Sequence, residues 1–192
     1  MNVDKVQVAT YLSIAVIAVS LFFIGIELTG YALTDTGLVN VTIETSASIL
    51  FSTALLDLGN GTVTPSQVAQ IDSSGGNNAY WSGDQATGNL TLENNGNINV
   101  SFTLKSNKTA DAFLGGDSPT FLLLVSDNEE GSCVSTTNFT AYGAVTTDEQ
   151  LACTNFGYED AADTVAIDAR VTVSDSAAGS RSVGIIATAT SI

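Results

Sequence analysis

The chain has 192 residues and a formal net charge of −15, from 20 Asp and Glu against five Lys and Arg and no His. An average chain is about 25% charged, half of it acidic, so the acid count is ordinary and the deficit lies in the bases; 24 Thr, 20 Ser and 14 Asn fill the polar surface instead. Nucleic-acid binding, which needs clustered Lys and Arg, is excluded, and without an imidazole base, a His-type metal site or a triad base no enzyme is expected.

In chain order, the first feature is VQVATYLSIAVIAVSLFFIGI, residues 6–26, which are 21 uncharged residues between Lys5 and Glu27. A helix of that length covers about 32 Å, enough to cross a bilayer core of about 30 Å. Three fates fit it: a secretory signal cut after Gly30-Tyr31-Ala32, an uncleaved membrane anchor, or a helix buried against its own copies in a filament core. Asp4 offsets Lys5 and weakens the signal-peptide reading, so a retained helix is preferred. Every fate exports the remainder, giving a hydrophobic helix over 1–32 and an extracellular domain over 33–192.

That domain reads as antiparallel β. Val39, Val41, Ile43, Thr45, Ala47, Ile49 and Phe51 alternate with polar residues apart from Leu50, which predicts one half-buried strand from 39 to 52. Leu90 and Leu92, then Asn94-Asn95-Gly96-Asn97, then Ile98, Val100, Phe102 and Leu104 predict a hairpin. Phe121 to Val125 is a continuous apolar run, expected to be a strand buried on both faces. A second hairpin is expected between Val165–Val173 and Val183–Ala189, turning at residues 175–180. Residues 72–88 and 127–163 break the alternation and are expected to be long loops, with weak helical signals at 64–71 and 147–151. Seven to nine strands and two Pro point to an Ig-like or jelly-roll β-sandwich behind an N-terminal hydrophobic α-helix.

The two cysteines, Cys133 and Cys153, form an even pair in an exported chain and are expected to join as a disulfide, since no His is present to activate a free thiol. Six Asn-x-Ser/Thr sequons, at Asn40, Asn60, Asn89, Asn99, Asn107 and Asn138, stand against about three expected by chance and are candidate glycosylation sites. Asp127, Glu129 and Glu130, with Glu159, Asp160 and Asp163, offer oxygen ligands that suit Ca2+, but without EF-hand spacing a solvated acidic loop is the preferred reading and no cofactor is expected. Tyr80 and Trp81 beside Asn77, Asn78 and Asp84 have the makeup of a sugar platform, although a lone Trp is more often core. Lys105 and Lys108 beside Ser101 and Ser106 lack any Ser-Lys catalytic pattern.

The long first strand has two readings. It is either the first strand of its own domain, or a candidate donor strand, with Val39, Val41, Ile43, Ile49 and Phe51 inserting beside a sheet edge of a neighbouring copy. The succession of an apolar N-terminal segment, TGYALTDTGLVNVTIETSASILF and LTLENNGNINVSFTL resembles small archaeal exported β-sandwich surface proteins. It is similar too to TasA-type biofilm fibre subunits and to archaeal pilins, departing from the latter at the processing site, where Lys5 is followed by Val6. The resemblance implies a structural role with no catalytic residues. The expectation is a cell-surface filament or surface-layer subunit whose partners are copies of itself, with the membrane contacted through residues 6–26. The alternative is a membrane-anchored monomeric binding domain of lectin or adhesin type.

Overall fold

In the computed structural model residues 13–15, 17, 40–86 and 88–192 are described. The chain divides into two compact units, Met1–Thr42 and Ile43–Ile192. In the first, Ser13, Ile14, Ala15 and Ile17 are helical and exposed, while the rest of the 6–26 stretch, and Val39, lie outside the described residues. Among the described residues no helix is long and apolar enough to cross a membrane.

The second unit is mainly β, built from antiparallel sheets. Its strands are β1 Leu50–Thr53, β2 Gly61–Val63, β3 Val68–Asp72, β4 Trp81–Gly83, β5 Leu90–Glu93, β6 Val100–Ser106, β7 Thr120–Asp127, β8 Gly143–Ala144, β9 Gln150–Phe156, β10 Thr164–Ser174 and β11 Ile185–Ser191, with one short helix, α1, Ala110–Leu114. The largest sheet runs β1-β5-β10-β7-β8, with β3 also on β10; a second runs β11-β6-β9; β2 and β4 form a ribbon. Strand β10 is the axis. Along one side it pairs with β7, and along the other with β5 over its first four residues and β3 over its last five.

Period-two patterning explains which faces are buried. Val165, Ile167, Ala169, Val171 and Val173 of β10, Phe121, Leu123 and Val125 of β7, and Leu90 and Leu92 of β5 are buried in the same hydrophobic cluster as Val100, Phe102 and Leu104 of β6 and Cys153 and Phe156 of β9. Both sheets therefore supply one core, keyed by the edge-to-face pair Phe102–Phe156, with centroids 5.2 Å apart. Helix α1 starts where the Thr109 hydroxyl accepts the Ala112 amide, and it carries Phe113 onto Phe121 at 5.1 Å.

Several expectations are corrected. Among the described residues eleven strands form, more than the seven to nine expected. The predicted strand over 39–52 pairs only from Leu50 onward; residues 40–49 have no strand pairing. Neither predicted hairpin forms. Strand β5 lies in the large sheet and β6 in the small one, and likewise β10 and β11, so both connections cross between sheets.

The first crossover follows from Asn94. Its side chain is buried, with Nδ2 donating to Ile98 O (3.0 Å) and Phe156 O (3.2 Å) and Oδ1 accepting from Gly96 N (3.1 Å). A two-residue hairpin turn would leave that amide in solvent, whereas the crossover turns it inward and satisfies it.

Strand β7 buries Phe121, Leu123 and Val125 on one face and leaves Leu122 and Leu124 half-buried, not buried on both sides. The stretch 127–163 is not one loop: it contains β8 and β9, and Ala152, Cys153 and Phe156 are fully buried. Its alternation is hidden because the β6–β9 register shifts twice, which puts Ala152 and Cys153 inward in succession. The stretch 72–88 contains β4, and the two weak helical signals fall instead on a turn leading into β3 and on the start of β9.

Candidate assembly site

The two sheets have edges of different character. On the β8/β9 side the gap is closed. The Gln150 side chain accepts from Thr146 N (2.9 Å) and donates to Ala144 O (3.1 Å), and Ser106 N donates to Thr146 O (2.8 Å). Residues 133–137 then lie against the outer edge of β9 through bridges Cys133–Phe156 and Thr136–Cys153. The Cys133–Cys153 disulfide locks this side, as expected, across a sequence separation of 20 residues.

The opposite side is open. Strand β1 ends the large sheet and β11 ends the small one, and among the described residues neither outer edge pairs with another strand. Between them lies a groove of about 1150 Å³ reached by both Phe51 of β1 and Ile185 of β11. Its floor is the apolar face of β3, β10 and β7, including Ile71, Val171 and Phe121, and its rims are residues 54–63 and 175–184.

The β2–β4 ribbon forms part of the rim through a glycine pair. A side chain on Gly61 would meet Trp81 Cζ2 at 2.7 Å, and one on Gly83 would meet the backbone of Asn60 and Gly61. The missing side chains let the indole lie across the ribbon, where its Nε1 donates to Asp84 O (2.9 Å). Arg181 stands on the other rim, its Nε donating to Ala178 O (3.2 Å), and Asp57, Asp84 and Asp175 also line the groove.

The candidate donor residues fall into two groups. Ile49 and Phe51 pack against the core of their own domain, and Asn97 holds the segment before them. Its Oδ1 accepts from Ser46 N (2.6 Å), its Nδ2 donates to Glu44 O (2.8 Å), and its own N–H donates to Ser46 O (3.0 Å). A side chain on Gly96 would strike Ser46 O, so this close approach needs glycine. Upstream of the clamp the apolar side chains lose their partners: Val41 and Ile43 are each 80% exposed.

The remaining sequence candidates are occupied structurally. Asp127 accepts from Gly131 N and Cys133 N, and Glu129 from Asp163 N, so these acids brace turns. The fold does bring parts of the two acidic clusters together. Burial, then the charges of Glu129, Glu93 and Asp160, push the Asp163 carboxyl above its ordinary range, while the Asp163 amide bond holds Glu129 below its own. Among the described residues no group of three or more metal-ligating side chains forms. Asn78 Nδ2 donates to Val68 O, and Asn77 Oδ1 accepts from Asp72 N, so both platform amides are tied to backbone. Lys105 pairs with Glu149 at 3.2 Å, Lys108 donates to Ser182 O, and the Ser106 hydroxyl donates to carbonyls, leaving no Ser-Lys pair.

One polar centre gives no sequence signal. Asp72, fully buried at the end of β3, receives Arg170 Nε (2.7 Å) and Nη2 (2.6 Å) on one oxygen, and the Tyr142 hydroxyl (2.5 Å) with the Ser74 amide and hydroxyl on the other. The Arg170 guanidinium lies 3.7 Å from the Tyr142 ring centre. Burial alone would raise the Asp72 carboxyl, but these hydrogen bonds together outweigh it and hold the group low. Burial, then the bond to Asp72, pushes the Tyr142 phenol up. The partners are 70 and 98 residues away along the chain, beyond any local motif.

Comparison with known proteins finds no matching family model, no matching curated protein and no matching solved structure.

Proposed function

We propose that this chain is the structural, non-enzymatic subunit of an extracellular cell-surface filament or layer, assembled by strand addition between copies and by its N-terminal helix. The two sheets are read as the faces of an antiparallel sandwich left open along one side. The observation that carries the reading is the pairing of two deficits. Val41 and Ile43 are apolar, alternating and 80% exposed, while an apolar groove lies between two strand edges that are unpaired among the described residues.

The two deficits are complementary. A segment laid along β1 or β11 satisfies main-chain donors and acceptors and sends every second side chain into the groove. Residues 36–43, TGLVNVTI, are uncharged, so the rim carboxylates do not repel them. Five such residues, Val39 to Ile43, span about 17 Å, the length of an ordinary strand. The donor thus narrows to Val39, Val41 and Ile43, because Ile49 and Phe51 serve their own core. The partner is a second copy, the location is outside the cytoplasmic membrane, and residues 6–26 hold the membrane before assembly.

Electron microscopy of native surface material tests this. Ordered fibres or a lattice containing the chain are expected; a dispersed monomer after detergent extraction contradicts it.

A further inference from the structure

The six sequons are equivalent as motifs and unequal as nucleophiles. Transfer of a glycan requires an accessible side-chain nitrogen and room for the incoming sugar. Asn99 is half-buried and its Nδ2 donates to Asn155 Oδ1 (2.9 Å). Asn138 Nδ2 donates to Leu151 O (2.9 Å). Asn107 accepts the Gly184 amide (2.8 Å) and its Nδ2 lies against Gly184, while the sequon hydroxyl, on Thr109, caps α1. Asn89 is half-buried and its Oδ1 accepts the hydroxyl of Thr91 (3.3 Å). Asn40 is exposed, and its exclusion rests on the proposed function: within the donor segment a glycan would obstruct strand pairing.

Asn60 differs from all of these. It lines the groove, and it is exposed, as Asn107 and Asn138 are, but unlike theirs its side-chain amide makes no hydrogen bond among the described residues. Its main chain is nonetheless fixed, because Asn60 O accepts the Asp84 amide at 3.0 Å. Thr62, the hydroxyl residue of the sequon, is exposed in β2. We infer that Asn60 is the principal glycan acceptor of this chain, the donor being an oligosaccharide activated through a lipid-linked phosphate or pyrophosphate. Asn60 Nδ2 bonds to the anomeric carbon, the carbon–oxygen bond to phosphate breaks, the phosphate leaves with the electron pair, and the amide proton passes to a base of the transferase.

The test is glycopeptide mass spectrometry on the full chain isolated from its native cells. The expected result is a sugar-sized mass increment on the Asn60 peptide in most molecules, with the Asn99 and Asn138 peptides bare. In cells expressing Asn60→Gln the increment disappears from that peptide, and in Thr62→Ser it persists. An unmodified Asn60 peptide, or occupancy at Asn99 and Asn138 equal to that at Asn60, overturns the inference. Neither outcome depends on whether the chain polymerises.

Discussion

The Asp72 centre joins β3, β10 and the Tyr142 loop through one carboxylate, and its value depends on keeping both partners. Removing one side of a buried ion pair costs about 3–5 kcal/mol, and because the Arg170 side chain is 30% exposed about 2 kcal/mol is expected for Asp72→Ala, read as a lower denaturation midpoint. The pH dependence has a definite sign. A carboxyl held below its ordinary value stabilises the fold fully at pH values above that ordinary value, near 4, and loses the contribution as pH falls through the lower folded value. Asp163 has the opposite sign: its raised carboxyl favours the folded state only when protonated, so its contribution is lost as pH rises through the folded value. Asp163→Asn is therefore expected to stabilise the domain at neutral pH by about 0.5 kcal/mol and to leave acid stability unchanged, which urea titrations at pH 7 and pH 3.5 check. None of this centre was legible in sequence, because Asp72, Tyr142 and Arg170 share no spacing.

At the scale of elements, residue patterning found most strands and misjudged how they connect. Leu90–Leu104 and Val165–Ala189 both show paired alternating runs around a polar turn, and both turn out to cross between sheets. Alternation reports which face is buried, and a strand paired with its neighbour in sequence looks the same as one stacked across the core. The inward Asn94 decides the first case, and only its three side-chain hydrogen bonds reveal that. Strand β9 was hidden by bulges, and the 39–52 alternation was overread because exposed residues 40–47 carry the same period as the paired residues after them. The disulfide, by contrast, needed only a count of cysteines. Replacing Cys133 and Cys153 with Ala together is expected to cost about 3 kcal/mol by the loop-closure argument, measured by thermal unfolding with and without reductant. Asn97→Ala removes two side-chain hydrogen bonds from the Glu44–Ser46 strap and is expected to cost about 1–2 kcal/mol. Its signature in hydrogen exchange is faster exchange of the Ser46 amide while the amides of β10 stay protected.

For the whole molecule, net charge and openness act together. With −15 on the chain, identical copies repel at long range, so the proposed assembly would have to rest on apolar burial and main-chain pairing, and added salt is expected to speed it by screening. In the proposed assembly the closed β8/β9 side and the open β1/β11 side leave each copy one place to receive a strand and one segment to offer, a head-to-tail arrangement that would grow as a fibre unless it closed into a ring. Ile43→Lys places a charge in the groove and is expected to abolish polymer while leaving monomer stability unchanged, since Ile43 is 80% exposed in its own subunit. The most direct measurement is a photo-crosslinking side chain at position 41, activated in assembled material made from a mixture of isotopically light and heavy chains. Crosslinked peptides joining residue 41 of one mass to residues 51–63 or 175–185 of the other are the result the account predicts. Polymer that forms with crosslinks confined to single chains, or with residue 41 linked elsewhere, would contradict it.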